Sequence, residues 1–274
     1  MLLLEQTGLD AVLLLEYTLE FAHQSPEEFV RRYLVRALRA QTVVVGRDVR
    51  FGWANAGDLT TMTELGARYG FGVDVIEDLA SEPALRAPDL ALVGGTPDEQ
   101  RLAHVADPLH RRWSSTWVRE LLTEGRVADA AAVLGRPHRV RGVVVHGDAR
   151  GRELGFPTAN LAQDAAGLVP ADGVYAGWLR RLDRAPGDVD TVLPAAISVG
   201  TNPTFDGAQR RVEAYVLDRT DLELYDEEVA FEFVVRLRDT LRFDSIEALI
   251  TTMRADVDRA RTALEQAGGP PSGW

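Results

Sequence analysis

The first half of the chain alternates short apolar runs with segments of helical periodicity. Apolar runs at residues 10–16, 42–46 and 72–76 have the length and composition of buried strands. Between the first two runs, residues 25–28 (SPEE) form a capping box that predicts the start of a helix. A further helix is predicted over 58–69. This alternating order predicts a parallel sheet covered by helices.

The second half has a different pattern, in which apolar and polar residues alternate as they do in half-buried strands. The predicted strands are residues 139–146, 173–181, 192–199, 210–217 and 228–237. On the last strand we expect one shared face for Val229, Phe231, Phe233, Val235 and Leu237. Several strands separated by turns predict an antiparallel barrel.

An amphipathic helix closes this half, and we expect Asp244 to cap it. Its predicted buried stripe comprises Ile246, Leu249, Ile250, Met253, Val257, Ala260 and Leu264. Two more helices are predicted within residues 113–135, where Gly135 followed by Pro137 favours a helix end. We therefore predict a first domain over 1–135, a second over 136–267 and a flexible tail over 268–274.

Charge and composition exclude several classes of function. The chain has 30 basic and 42 acidic residues, a net charge of −12, and no lysine or cysteine. Such a field disfavours nucleic acid and anionic membranes as partners. Without lysine there is no Walker A loop and no Schiff-base chemistry. Residues 1–21 fit neither a signal peptide nor a membrane span, so a cytoplasmic location is expected.

The loop at residues 146–160 (HGDARGRELGFPTAN) is the most specific candidate site. Its glycines would let the backbone approach a ligand and present N–H groups to an anion, and its arginines could pair with phosphate. Threonine and asparagine supply oxygen ligands suited to Mg²⁺. The candidates are Gly147, Arg150, Gly151, Arg152, Gly155, Pro157, Thr158 and Asn160. Spacing alone equally allows an ordinary long hairpin loop.

Four segments of the second half closely resemble, in order, the motifs of the riboflavin kinase family. They are GRELGFPTAN at 151–160, PADGVYAG at 170–177, SVGTNPTFDG at 198–207 and VEAYVLD at 212–218. The resemblance implies a six-stranded antiparallel barrel with a C-terminal helix. It also implies transfer of the ATP γ-phosphoryl group to the 5′-hydroxyl of riboflavin, which gives FMN and ADP.

The same resemblance assigns roles to individual residues. The family's Pro-Thr-Ala-Asn motif stands at 157–160, so Thr158 and Asn160 are expected to contact Mg²⁺ and the nucleotide phosphates. The family's catalytic glutamate matches Glu213, which could accept the proton of the alcohol. From its spacing alone, Glu213 would be interpreted as a solvent-facing charge on a half-buried strand.

The first half resembles the FMN adenylyltransferase module that bacteria fuse to riboflavin kinase. The matching segments are residues 25–30, 43–58 and 113–142. The resemblance carries over Asp48 and Phe51 from a loop at the flavin and nucleotide site, and Ser114, Ser115, Thr116 and Arg119 from a helix start that could bind phosphate. Simple helix capping explains the serines equally well.

The family's adenylyltransferase also has a His-x-Gly-His segment, which none of the five histidines of this chain matches. We therefore expect an active riboflavin kinase joined to an incomplete parallel-sheet, nucleotidyltransferase-like domain that does not make FAD. One alternative is a full bifunctional FAD synthetase whose start is set too far downstream. Another, from a different class, is a non-catalytic flavin-binding regulatory module. The sequence is silent on oligomeric state.

Overall fold

The strands of the described residues form two separate sheets, one in each half of the chain. The computed structural model describes residues 2–5, 7–77, 113–147, 151, 154–185, 187–188, 190–204 and 207–270, without the side chains of 202–209. Residues up to 77 belong to one compact unit and residues from 113 to another. No helix in these ranges is both long and apolar enough to cross a bilayer.

A pair of parallel strands and the helix between them organise the first unit. Strand β1 (Thr42–Gly46) pairs with β2 (Gly72–Ile76) over five residue pairs. Helices α1 (Leu2–Glu5), α2 (Leu19–Ala22) and α3 (Pro26–Phe29) precede them, and α3 continues as a π-helical segment over Val30–Ala37. Helix α4 (Leu59–Tyr69) connects the strands. The parallel arrangement and the capping box before α3 are confirmed.

The predicted strand at residues 10–16 does not form. This segment is not assigned to any strand, and Leu13 and Leu14 are 49% and 72% exposed. An apolar run becomes a buried strand only where a neighbour takes its hydrogen bonds and a second layer covers its side chains, and no described strand pairs with it. Strand β1 lies where predicted but is only half-buried: Val43 and Val45 pack against the core, whereas Val44 is 57% exposed.

Two helices pack against the barrel in the second unit. Helices α5 (Ser115–Thr123) and α6 (Val127–Leu134) lie within the predicted range, and Gly135 ends α6 with a φ of +70°. Leu121, Leu122 and Val127 belong to the same buried core as the barrel interior. The helices therefore pack as part of the barrel unit, while the domain boundary expected at residues 135–136 stays a prediction.

The barrel consists of six antiparallel strands that close on themselves. In chain order they are β3 (His138–Val145), β4 (Thr158–Leu161), β5 (Gly173–Arg181), β6 (Val192–Thr204), β7 (Gly207–Val216) and β8 (Glu228–Arg238). Their order around the barrel is β3-β4-β7-β6-β5-β8. The predicted fold class is thus confirmed. Strand β4 is the one that alternation did not reveal, because four residues are too few to show a period.

Strand β8 does not keep its apolar residues on one face as predicted. Val229, Phe231 and Phe233 belong to the core inside the barrel, whereas Leu237 packs in a second cluster with the C-terminal helix. The pairing of β5 with β8 shifts register between Ala176 and Gly177, which marks a bulge. One extra residue in a strand moves the following side chains to the opposite face.

The C-terminal helix α7 (Ile246–Gln266) begins at a different cap from the one predicted. The hydroxyl of Ser245, rather than Asp244, accepts a hydrogen bond from the Ala248 amide at 3.1 Å. Only a residue in extended conformation directly before the helix can place its oxygen there. The predicted stripe is buried at Ala260 and Leu264, but Ile246 in the first turn is 61% exposed.

A buried ion pair fixes α7 to the barrel. Asp256 is 4% exposed, and the guanidinium of Arg238 on β8 donates to its two carboxylate oxygens at 2.6 to 3.0 Å. Arg259 adds a further hydrogen bond at 2.8 Å. A carboxylate inside an apolar stripe is a signal that sequence reasoning passed over. Its pairing sets where α7 lies on the outer surface of the barrel.

We predict that Gly177→Ala strongly destabilises the barrel. A Cβ at Gly177 would overlap the carbonyl oxygen of Glu232 and lie 2.5 Å from Cδ1 of Ile197, so two strands would have to separate. We expect a loss of about 3 kcal/mol or more in the free energy of unfolding, measured by denaturant titration. Gly200→Ala is the control, because nothing lies within 4 Å of a Cβ there. Equal stability of the two variants would contradict this packing.

Candidate active site

The register of β4 against β7 brings three of the predicted site residues together. Asn160 pairs with Glu213, and the adjoining pair is Ala159 with Ala214. Both alanines are buried in the barrel core. Because side chains alternate along a strand, Thr158, Asn160 and Glu213 must then face outward. The candidate site therefore lies on the outer surface of the barrel.

Hydrogen bonds connect these three side chains. The Thr158 hydroxyl donates to Oε2 of Glu213 at 3.3 Å. The Asn160 amide nitrogen Nδ2 donates to the Thr158 hydroxyl oxygen and to the Thr158 carbonyl, each at 3.3 Å. With Nδ2 engaged in this way, the amide oxygen of Asn160 points away from Thr158. The network thus presents oxygen atoms from β4 beside a carboxylate from β7.

The glycines of the predicted loop make room for the chain itself. A Cβ at Gly147 would lie 2.7 Å from Nδ2 of Asn160, and a Cβ at Gly151 would lie 2.5 Å from the carbonyl oxygen of Phe156. Gly155 has a φ of +85°, which favours glycine. A role for these three residues in phosphate binding stays a prediction. Arg150 and Arg152 lie outside the described residues.

An apolar cleft that sequence reasoning missed opens beside Thr158. His146 stacks on Tyr225 at its edge, with ring centroids 3.8 Å apart. Its lining residues are Val144, Pro157, Thr158, Ala159, Ala214, Val216, Arg219, Thr220, Leu222, Leu224 and Tyr225. The only signal in the sequence is the alternation of Leu222 and Leu224 with polar residues after the 212–218 motif. The cleft sets a mainly apolar lining next to the polar network.

Charged residues stiffen one side of this cleft. The guanidinium of Arg219 donates to the carboxylates of Asp190 and Asp221, at distances of 2.7 to 3.1 Å. These hydrogen bonds lower the pKa of Asp221 to about 2 and also lower that of Asp190. Both carboxylates are therefore ionised at neutral pH, and Arg219 is engaged in holding the loop after β7.

The residues predicted from the adenylyltransferase resemblance lie in different compact units. In the first unit, the Phe51 ring packs against its core, and the Phe51 and Gly57 backbones exchange two hydrogen bonds. Asp48 lies in the same loop. In the second unit, the Ser114 hydroxyl accepts from the Trp117 amide at 3.2 Å and so caps α5. Arg119 donates to the Ser115 hydroxyl at 3.3 Å.

These contacts agree with the capping role of Ser114. They leave the predicted nucleotide contacts of Asp48, Phe51, Ser115, Thr116 and Arg119 as predictions.

Two known proteins show to which family this chain belongs. A bifunctional riboflavin kinase/FMN adenylyltransferase of Escherichia coli K12 is 31% identical over 258 residues, covering 94% of this chain and 71% of the relative. The Listeria monocytogenes protein with the same name is 33% identical over 255 residues, covering 93% and 69%. The chain belongs to the bifunctional riboflavin kinase/FMN adenylyltransferase family.

The family models divide the chain between the two named activities. The riboflavin kinase model matches residues 134–264, and the FAD synthetase model matches residues 1–84. Thr158, Asn160 and Glu213 all fall in the riboflavin kinase match. A crystal structure described as a macrolide-efflux protein from Streptococcus pneumoniae is 29% identical with a TM-score of 0.74, covering 94% of this chain and 72% of that one. Because the riboflavin kinase match contains all six strands, the barrel is a riboflavin kinase module, as the sequence motifs predicted.

We predict that Gly147→Ala lowers riboflavin kinase activity by displacing Asn160. A Cβ there would lie within 2.9 Å of three atoms of the Asn160 amide, so this side chain has to move. Displacement of a positioned group by about 1 Å can cost up to ~100-fold in rate. Gly72→Ala on β2 is the control, because its Cβ would make an ordinary contact at 3.6 Å. Steady-state FMN formation together with the melting temperature checks this; full activity at unchanged stability would contradict it.

Proposed function

We propose that the outer surface of the barrel, at Thr158, Asn160 and Glu213, transfers the γ-phosphoryl group of ATP to the 5′-hydroxyl of riboflavin. The observation that carries this proposal is the β4–β7 register, which sets a carboxylate directly beside two neutral oxygen donors. Phosphoryl transfer between ATP and an alcohol needs this combination, namely positioned phosphates and an acceptor for the proton of the alcohol.

Glu213 is the proton acceptor in this reaction. The riboflavin 5′-oxygen forms the new bond to the γ-phosphorus, the bond from that phosphorus to the β,γ-bridging oxygen breaks, and ADP leaves. The proton of the hydroxyl passes to the Glu213 carboxylate. The hydrogen bond from Thr158 to Oε2 fixes the orientation of that carboxylate. Because Glu213 lies between buried Val212 and Ala214, the strand backbone holds it rigidly.

The donor set suits Mg²⁺ that arrives with the nucleotide. No group of three or more His, Cys, Asp or Glu side chains in the described ranges could hold a metal by itself. Thr158 and Asn160 instead supply neutral oxygens, and Mg²⁺ is commonly held by few protein ligands together with substrate phosphates and water. Thr158 Oγ1 and the Asn160 amide oxygen would hold the ion, which would neutralise charge on the phosphates. The hydrogen bond from Asn160 Nδ2 to Thr158 holds the two side chains next to each other.

The apolar cleft suits the adenine base of ATP. It borders Thr158 and is lined by Pro157, Leu222, Leu224 and Tyr225. Because Thr158 also lines the cleft, a base at this position would have its phosphates next to the Thr158 hydroxyl. The cleft lining does not include Glu213, so a base in the cleft would not cover the proton acceptor.

The first half supports a second candidate activity within the same family. The FAD synthetase match to residues 1–84 favours FMN adenylyltransferase chemistry, with residues 1–135 as its domain, 136–267 as the kinase domain and 268–274 as a tail. Incubation with riboflavin, ATP and Mg²⁺ separates the candidates. FMN alone indicates a kinase, FMN plus FAD a bifunctional enzyme, and neither product a non-catalytic flavin-binding module.

We predict that Glu213→Gln retains the fold but loses most FMN formation. Glutamine has the same shape but does not take up the proton, and a general base contributes typically ~10²–10⁴-fold. Glu228→Gln on β8 is the matched control, because Glu228 pairs with Arg141 on the outer surface and has no role in the proposal. Turnover of Glu213→Gln within a few-fold of the parent would remove Glu213 from the mechanism.

We also predict that Thr158→Ala and Asn160→Ala weaken the binding of Mg-ADP more than that of riboflavin. Each change removes an oxygen donor on the phosphate side of the site. Isothermal titration with the two ligands measures the difference. An equal loss for both ligands would indicate collapse of the loop instead, and unchanged Mg-ADP affinity would contradict the assignment.

A further inference from the structure

A row of outward positions runs across four strands of the barrel at the level of Glu213. Val145 on β3 pairs with Asn160 on β4, Asn160 pairs with Glu213 on β7, and Glu213 pairs with Ser198 on β6. Directly opposite residues on one face of an antiparallel pair have Cβ atoms about 4.5–5.5 Å apart. Ser198 is therefore the nearest neighbour of Glu213 on the side away from Thr158 and Asn160.

Helix α7 covers the adjoining pair of positions but does not cover Ser198. Ala196 and Tyr215, which are the next outward pair along β6 and β7, pack against the cluster that contains Ala260 and Leu264 of α7. Ser198 itself is exposed, although Ile197 and Val199 on either side of it are buried. A rigid strand thus presents this hydroxyl to solvent just beyond the edge of the helix. Within the described ranges, no hydrogen bond to its side chain is present.

The in-line geometry of phosphoryl transfer determines which substrate lies next to the Ser198 hydroxyl. In phosphoryl transfer the attacking and leaving oxygens lie roughly in line, on opposite sides of the phosphorus. The proposed phosphate ligands lie on β4, to one side of Glu213. The alcohol must then approach from the other side, above β7 and β6. Ser198 lies on this acceptor side.

We propose that Ser198 binds the sugar-alcohol chain of the flavin substrate, through a hydroxyl adjacent to the one that is phosphorylated. A serine hydroxyl can donate one hydrogen bond and accept two, which matches a polyol chain. This inference rests on the proposed function, since it requires riboflavin to be the acceptor at Glu213. It makes Ser198 a specificity-determining residue for acceptors with a polyhydroxylated chain.

The test combines a change in the protein with a change in the substrate. Riboflavin is compared with a flavin whose chain is 5-hydroxypentyl, which keeps the reacting hydroxyl and lacks the others. With riboflavin, we expect Ser198→Ala to lower kcat/KM about threefold to tenfold, as for loss of one hydrogen bond, and to leave the KM for ATP unchanged. With the hydroxypentyl flavin, we expect the parent and Ser198→Ala to have equal kcat/KM. Binding titrations with both flavins show whether Ser198→Ala also weakens the binding of riboflavin and leaves that of the hydroxypentyl flavin unchanged.

Two further variants serve as controls. Ser198→Thr keeps the hydroxyl and suits a strand, so it should retain riboflavin kinetics within about twofold. Thr42→Ala removes an exposed hydroxyl from β1 and should leave kcat/KM for both flavins unchanged.

Equal losses on both flavins, or no loss on riboflavin, would overturn the assignment of Ser198. If Glu213→Gln abolishes turnover while Ser198→Ala matches the parent, only this inference fails. If Glu213→Gln stays near parental activity, the proposed site itself fails.

Discussion

The pairing of the short strand β4 with β7 is the constraint on which the site depends. Only four residues form β4, and their register decides which side chains face outward. Because side chains alternate with a period of two, a slip of one residue would turn Thr158 and Asn160 into the core and expose Ala159. The buried alanines at 159 and 214 oppose such a slip, since burial of unpaired polar groups is costly.

Small residues and ion pairs also stabilise the barrel around this strand pair. Gly147 leaves room for the Asn160 amide at the end of β3, and Asp256 of α7 is held by Arg238 of β8. Buried Glu232 pairs with Arg139 and Arg180 at 2.5 and 2.7 Å, on the strands either side of β8. Removal of one partner from such a buried pair leaves an uncompensated charge. Because the chain has no lysine, arginine supplies the positive charge in each of these ion pairs.

Alternation in the sequence predicted the longer strands of the barrel, because each has one apolar face and enough residues to show it. It did not reveal β4, nor the bulge in β8 that moves Leu237 away from Phe233, since neither leaves a periodic signal. The prediction of a buried strand at 10–16 was wrong, because the apolar pattern of a segment does not show whether a neighbouring strand exists to pair with it. Glu213 looked like a surface charge by spacing alone. Its resemblance to a family motif singled it out, and the register then showed Thr158 and Asn160 beside it.

The apolar cleft shows a second limit of sequence reasoning. Its walls come from β3, β4, β7 and the loop after β7, so no single segment carries its signature. The pairing of Ser198 with Glu213 is likewise a property of the β6–β7 register rather than of either motif. Sequence motifs identified the residue types, whereas the closed barrel determined which of them are neighbours.

The stoichiometry of the reaction catalysed by the purified protein is the most direct test of phosphoryl transfer from ATP to riboflavin. Riboflavin, ATP and Mg²⁺ are supplied, and flavins and nucleotides are separated over time. We predict that initial FMN formation is matched by one ADP for each FMN, and that both products depend on the divalent ion. Absence of FMN, or FMN formation without equal ADP, would contradict phosphoryl transfer at the outer surface of this barrel.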